Sequence, residues 1–248
     1  MFLAAGFATR LHPLTLNRAK PLLEVGGRPV LSWILDRVLQ ATEPSRLVVV
    51  TNHRFAQDFR DWAEKTPAPV PIEVIDDGTD SNETRLGAIG DMALAVEKMG
   101  PSEEPILVIG GDNLLDFDLR PHLNQFDPKR GPMLFVRTLE GVVPPGRYSE
   151  ICLDEKDQVT SCREKPSDPK SPLSALCVYA FSATLGADLA AYCAQTEEQD
   201  APGWFLVWLT SQRTIFATRV SGSYYDIGSL ETFNAARSAF EGRTPLKP

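Results

Sequence analysis

Four short segments of this chain concentrate residues able to do chemistry on phosphates. The first, LAAGFATRLHPLTLNRAKPLLEVGGRPVL from Leu3 to Leu31, places the small residues Ala4, Ala5, Gly6 and Ala8 ahead of two cations, Arg10 and Lys20. Small side chains let backbone N–H groups approach a phosphate or a base closely. Cations in an apolar-flanked segment are costly unless they face water or an anion, and a polyphosphate supplies one. Pro13 and Pro21 stiffen the path between them. The second segment, ILVIGGDN from Ile106 to Asn113, ends an apolar run in Gly-Gly and then presents Asp112. The third, YYDIGSLETFNAAR, offers Asp226. Magnesium takes hard oxygen ligands, often one or two carboxylates completed by phosphate and water, so Asp112 and Asp226 are candidate metal ligands. Taken alone, Asp226 reads equally well as the acid at a helix N-terminus. In the fourth, CREKPSDP, Lys165 could hold a phosphate monoester and Glu164 could accept hydrogen bonds from sugar hydroxyls, although EKP in isolation is a common surface turn.

Several other chemistries are excluded. Neither the GxGxxG dinucleotide fingerprint nor the GxxxxGK[ST] phosphate loop occurs. The four cysteines, Cys152, Cys162, Cys177 and Cys193, match no metal-binding spacing and read as reduced thiols. The histidines His12, His53 and His122 are scattered, so no transition-metal site is expected. A formal net charge of −8, from 25 basic and 33 acidic residues, argues against nucleic-acid backbone binding. No apolar run approaches membrane-spanning length, and the start, MFLAAGFATR, lacks the cationic region and long apolar stretch of a secretory signal. The expected location is the cytoplasm, with no membrane partner; the oligomeric state is left open.

These groups need a scaffold. With 248 residues, 43% hydrophobic and 23% charged, the chain suits one large domain. Apolar runs at Phe2 to Ala5, Arg46 to Asn52, Val70 to Ile75 and Pro105 to Gly110 read as inner strands of a parallel sheet covered on both faces. The first is short for a buried strand, which points to a native start upstream of Met1. Between them, Leu31, Ile34, Leu35, Val38 and Leu39 form the stripe of a helix beginning near Pro29 or Val30. Phe55, Phe59 and Trp62 make a second stripe, and Ala88, Met92, Ala95, Val96 and Met99 a third. Beyond Asp112 the pattern changes to an antiparallel portion, with strands at Met133 to Thr138, Tyr148 to Leu153, Val159 to Arg163 and Leu173 to Phe181. Helices around Ala183 to Cys193 and Trp204 to Thr210 follow, then a strand at Thr214 to Val220 and a helix over Ser229 to Phe240. Ser229 caps that last helix, with Thr232 standing where a capping box has Glu or Gln, and Asp200 reads as the N-cap of the helix before it. Parallel strands bind ligands at their carboxyl edge, where Gly6 and Asp112 both fall.

Taken together, LAAGFATRLHPLTLNRAKPLLEV, GAIGDMALAV, GGDN, EKP and YYDIGSLETFNAA resemble, in order and at similar spacings, the sugar-1-phosphate nucleotidyltransferase family. The resemblance covers nearly the whole chain. It implies an α/β, Rossmann-like three-layer fold with a mostly parallel central sheet and an inserted antiparallel sugar-binding region, all within a single catalytic domain over residues 1–248. It also implies Mg²⁺-dependent transfer of a nucleoside monophosphate from an NTP to a sugar 1-phosphate. Leu3, Ala5 and Gly6 would line the base and ribose, Arg10 and Lys20 would hold the triphosphate, and Asp112 and Asp226 would bind Mg²⁺. Gly90, with Arg85 and Gly87, would belong to the base-contacting loop, while Glu164 touches the sugar and Lys165 its phosphate. The sequence departs from the family in having Ala8 for a usual glycine, Ala19 for a proline and Ser149 for a frequent glycine. Two other readings fit the same motifs: transfer to a polyol or aminoalcohol phosphate, and a catalytically silent nucleotide-sugar-binding regulator.

Overall fold

The computed structural model describes residues 1–244. In chain order its main elements are β1 (Phe2–Leu3), α1 (Val30–Ala41), β2 (Leu47–Thr51), α2 (Ala56–Lys65), β3 (Ile72–Asp76), α3 (Gly87–Met99), β4 (Ile106–Gly110), β5 (Asn113–Asp116), β6 (Met133–Thr138), β7 (Glu150–Leu153), β8 (Val159–Arg163) and β9 (Leu173–Phe181). There follow α4 (Leu185–Cys193), α5 (Pro202–Gln212), β10 (Phe216–Arg219), β11 (Ser223–Asp226) and α6 (Leu230–Phe240). Contacts gather these elements into two compact units. The first holds Met1–Leu86, Ile109–Pro121 and the chain from Gly222 on, and the second holds Gly87–Val108 and His122–Ser221.

In the first unit, β2 pairs in parallel with both β1 and β3, and the last two residues of β4 pair in parallel with β1. The expected α/β, Rossmann-like parallel arrangement is therefore present. Every residue of β2 is buried, as its uninterrupted apolar run requires. The Val70 to Ile75 segment differs from its expectation as an inner strand. It forms β3 at the sheet's edge, with only Ile75 fully buried, because Glu73 and Asp76 put charges where a central strand would be covered. Helix α1 buries Leu31, Ile34, Leu35 and Val38. Trp33 from the same helix donates to the Val25 carbonyl at 2.8 Å and packs edge-on against Phe240 of α6 at 5.2 Å. One further pairing was not expected from the sequence: β5 and β11 form a two-stranded antiparallel ribbon with Asp226 opposite Asn113. Ser229 caps α6 as expected, and Thr232 completes the capping box with its hydroxyl in place of a Glu or Gln carboxyl group.

The second unit contains the antiparallel portion. Strands β6 and β7 both pair antiparallel with β9, β8 pairs antiparallel with β7, and β10 runs parallel to β6. Helix α5 packs Phe205 against Phe181 of β9 and Tyr192 of α4, with ring centroids 6.1 and 5.6 Å apart. Glu150 of β7 is only 2% exposed and fully engaged. It accepts from the Ser171 backbone N–H at 2.6 Å, from the Lys170 backbone N–H, and from Arg163 Nε of β8 at 2.7 Å. Burial alone would raise its pKa, but these donors and the guanidinium hold it below its ordinary 4.5. A depressed folded-state value stabilises the protein above the ordinary carboxylate range, and that stability is lost as pH falls through the folded value. Glu150→Gln should cost about 1.5–3 kcal/mol at neutral pH, the usual range for hydrogen bonds to a charged group. It should also flatten the acid limb of a melting-temperature profile; an unchanged acid limb would show that Glu150 does not carry it.

Candidate active site

The phosphate-binding candidates meet at the carboxyl edge of the first unit's sheet. Strand β1 ends at Leu3, and the chain beyond it is held by its neighbours rather than by a longer ladder. The Ala4 N–H donates to the Val50 carbonyl at 2.8 Å, and Gly111 N–H donates to the Leu3 carbonyl, also at 2.8 Å. Gly111 sits in a close approach that favours glycine. A Cβ there would lie 3.0 Å from the Leu3 carbonyl oxygen, 3.3 Å from Pro21 and 3.4 Å from Ala4. That close approach brings the GGDN segment against both ends of the Leu3 to Leu22 loop. Gly6 is exposed, with nothing within 4 Å of the place a Cβ would occupy.

Two 3₁₀ turns present the cations, Thr9–Leu11 carrying Arg10 and Lys20–Leu22 opening on Lys20. Between them the loop is fastened by Thr15 Oγ1, which donates to the Ala8 carbonyl at 2.8 Å, and by Arg18 Nε, which donates to the Leu22 carbonyl at 2.7 Å. Ala8 sits in the left-handed region at φ 50°. A residue with a Cβ is held there at a cost of roughly 1–2 kcal/mol.

Lys20 forms an ion pair with Asp112, both side chains being largely buried. Burial would lower the lysine pKa, yet Asp112 by charge and hydrogen bond, helped by Asp226 and opposed by Arg10, holds it above its ordinary 10.5. Lys20 thus remains charged and couples to all three of the other groups. Asp112 directly precedes β5 and Asp226 ends β11. The ribbon sets Asp226 across from Asn113, and Ile227 N–H approaches the Asp112 carbonyl at 3.4 Å. Asp112 and Asp226, far apart in sequence, therefore lie close along the backbone at the end of one ladder, and Lys20, ion-paired with Asp112, feels the charge of both. Such a hard-oxygen pair fits a Mg²⁺ ion that takes its remaining ligands from phosphate and water. Arg10 is exposed beside this group and makes no ion pair among the described residues.

The remaining candidates fall elsewhere in the chain. Arg85 is exposed and donates to the Asn82 carbonyl at 2.6 Å. Gly87 opens α3 at φ 79°, where a Cβ would meet the Gln199 carbonyl oxygen at 2.3 Å, and Gly90 is buried within α3. Asp200 is not an N-cap as expected. Ala201 occupies that position, because the Asp200 and Gln199 carbonyls are turned to accept from Ala88 and Ile89 N–H at the start of α3.

In the second unit, the Glu164 side chain is only 4% exposed and Lys165 Nζ lies 3.5 Å from its carboxylate. Lys165 takes φ 44°, a second non-glycine residue in the left-handed region. Ser149 donates to Glu164 Oε2, a hydrogen bond that a glycine there could not make. Gly203, in the first turn of α5, leaves room for the same oxygen; a Cβ there would come within 1.8 Å of it. Neither partner was singled out from the sequence for this role. The thiols take no visible part: all four cysteines are free, and burial, reinforced by Glu164, pushes Cys162 up to about 12.

With this geometry in place, comparison with known proteins decides the family. The nucleotidyl transferase family model matches residues 1–242. The chain belongs to the nucleotidyl transferase family. It is 27% identical over 237 residues to the catalytic subunit beta of mannose-1-phosphate guanylyltransferase from Drosophila melanogaster, covering 94% of this chain and 60% of that protein. It is 26% identical over 243 residues to the UTP–glucose-1-phosphate uridylyltransferase AglF of Haloferax volcanii, covering 98% and 96%. The chain spans about 60% of the length of the first curated relatives it matches. A crystal structure from Bacillus anthracis bearing a glucose-1-phosphate thymidylyltransferase assignment superposes with a TM-score of 0.83 at 18% identity, covering 98% of this chain and 95% of that one. That likeness confirms the fold. No helix among the described residues is long and apolar enough to cross a membrane.

The tight fit at Gly203 makes a direct prediction. Gly203→Ala must evict the Glu164 carboxylate from the start of α5, and overpacking of this kind costs about 1–3 kcal/mol. Thermal or urea unfolding should register that loss, and a Ser149→Gly change combined with it should add little, since both act on one carboxylate. Fully additive losses would contradict the shared site.

Proposed function

We propose that this protein is a nucleotidyltransferase that joins a nucleoside monophosphate from an NTP to a sugar 1-phosphate and releases pyrophosphate. The observation that carries this reading is the Lys20–Asp112 ion pair, with Asp226 on the next register of the ribbon, beside the exposed Gly6 loop. The named activities of its relatives, guanylyl transfer to mannose 1-phosphate and uridylyl transfer to glucose 1-phosphate, support the same reaction class.

In this reaction an oxygen of the sugar phosphate attacks the α-phosphorus of the NTP, the bond from that phosphorus to the β-bridging oxygen breaks, and pyrophosphate leaves with the electron pair. The attacking phosphate is already ionised, so neither a protein nucleophile nor a general base is needed. Positioning and charge neutralisation supply the acceleration. Arg10 and Lys20 hold the triphosphate, while Leu3, Ala5 and Gly6 line the nucleoside. Arg85, Gly87 and Gly90 are assigned to the base, Glu164 to the sugar and Lys165 to its phosphate. Asp112 and Asp226 would hold Mg²⁺, which when bound supplies positive charge against the phosphate oxygens. We assign the whole chain, residues 1–248, to one catalytic domain acting in the cytoplasm.

A pyrophosphate-release screen tests the reading. It crosses four NTPs with sugar 1-phosphates and with polyol and aminoalcohol phosphates in the presence of Mg²⁺. Release with an NTP and a sugar 1-phosphate is expected, and the productive pair identifies base and sugar. Release only with an alcohol phosphate, or nucleotide binding without any release, would overturn the sugar assignment. With the productive pair, Lys20→Ala should lower turnover by about 10²-fold or more, the scale on which a main electrostatic group contributes. Asp112→Asn should demand much higher Mg²⁺. Unchanged turnover in the first, or a wild-type metal titration in the second, would remove these residues from their roles.

A further inference from the structure

The groups above leave unexplained how the loop after β1 keeps its shape, since β1 is only two residues long. The Ala4 N–H makes the loop's last backbone tie to β2; beyond it the Ala4 carbonyl lies 3.5 Å from Thr51 Oγ1, and the Ala5 carbonyl is held more closely by a side chain. Asn52, immediately after β2 and completely buried, donates from Nδ2 to the Ala5 carbonyl at 2.9 Å. Its Oδ1 accepts from the Phe55 N–H at 3.2 Å and so caps the 3₁₀ turn His53–Phe55 that leads into α2. These two partners fix which end of the amide is which, because a carbonyl can only accept and an N–H can only donate. Asn52 is thus locked at both ends.

The consequence for the loop follows from peptide geometry. In a planar trans peptide the C=O and the following N–H point in opposite directions. With the Ala5 carbonyl turned inward to Asn52, the Gly6 N–H of the same peptide faces outward. Gly6 is exposed, and the space beside its Cα is open. A backbone donor pointed into open space at the carboxyl edge of a parallel sheet, in the loop that also carries Arg10, suits an anionic or carbonyl acceptor.

We propose that Asn52 is a positioning residue for the nucleotide: its side-chain amide orients the Ala5–Gly6 peptide so that the Gly6 N–H donates to the bound NTP. This rests on the transferase reading and adds to it a residue that touches no substrate. A merely structural role for Asn52 would weaken the fold without distinguishing one substrate from the other. A positioning role raises the requirement for NTP alone.

The test measures both substrate dependences of Asn52→Leu, which keeps similar volume and removes donor and acceptor together. The expected result is an NTP KM raised about tenfold or more, a loss of roughly 1.4 kcal/mol, with the KM for the sugar phosphate within about twofold of wild type. A second measurement needs no variant. In wild-type protein the Gly6 amide, followed by ¹⁵N NMR, should exchange rapidly with solvent, then shift and become protected when the NTP is added. A folded variant with an unchanged NTP KM, a parallel rise in both KM values, or a Gly6 amide indifferent to NTP would each overturn the role of Asn52. If Asn52→Leu does not fold, the amide measurement decides. Absence of NTP turnover in wild type would sink the transferase reading itself, a different outcome from turnover that Asn52 does not affect.

Discussion

The site depends on one electrostatic constraint: a lysine ammonium largely removed from water has to sit against a carboxylate. Lys20 is buried enough that desolvation works against its charge, and only Asp112, with Asp226 behind it, keeps it protonated. The surrounding structure serves that pairing. Gly111 lets the turn bearing Asp112 close on the Leu3 carbonyl and on Pro21, next to Lys20 in sequence. The β5–β11 ribbon then sets Asp226 beside it, and its far end is clamped where Arg37 at 3.2 Å and Arg243 both reach Asp116. An arrangement that sets two acidic residues beside a lysine at an open sheet edge suits a hard divalent cation, and only with that cation bound would it suit the phosphate-bearing ligand proposed above.

A second buried carboxylate, Glu164, is secured differently. It has a serine hydroxyl as donor, a lysine beside it, and a glycine that leaves room for its oxygen at the start of α5. Two of the non-glycine residues with positive φ, Ala8 and Lys165, lie in the segments that carry these two charge clusters. Backbone strain of roughly 1–3 kcal/mol per residue persists where surrounding contacts over-determine the chain, and such places tend to be functional. In the first cluster the over-determination is visible, since Thr15 holds the carbonyl of Ala8 itself.

Much of this was legible in the sequence because the signals were strong and local. The short, β-branched run LVVVT favours a covered strand, and the spacing of Leu31, Ile34, Leu35 and Val38 matches one helix face. Arg10, Lys20, Asp112 and Asp226 stood out because charged residues flanked by glycines and apolar runs need a partner. What the sequence did not reveal depends on pairing across long separations. The ribbon of NLLD and SYYD consists of two four-residue strands with 106 residues between them, too short for periodicity to register. Asn52 ends RLVVVTN and reads as an ordinary strand-terminating polar residue until the Ala5 carbonyl is found beside it. Asp200 looked like an N-cap from composition, but α3 had a stronger demand for its carbonyl. Val70 to Ile75 looked internal because alternation is weak in a five-residue strand, and its edge position appears only once the neighbours are in place.

The most direct test of the account is the crystal structure of the protein with Mn²⁺ and the unreacted NTP, using anomalous scattering to locate the metal. The account predicts one ion bound directly by carboxylate oxygens of both Asp112 and Asp226, at about the 2.0–2.2 Å expected of a hard divalent cation, with the Lys20 ammonium on a phosphate oxygen of the same nucleotide. An ion held by only one of the two aspartates, or a nucleotide whose phosphates lie out of reach of Lys20, would contradict it.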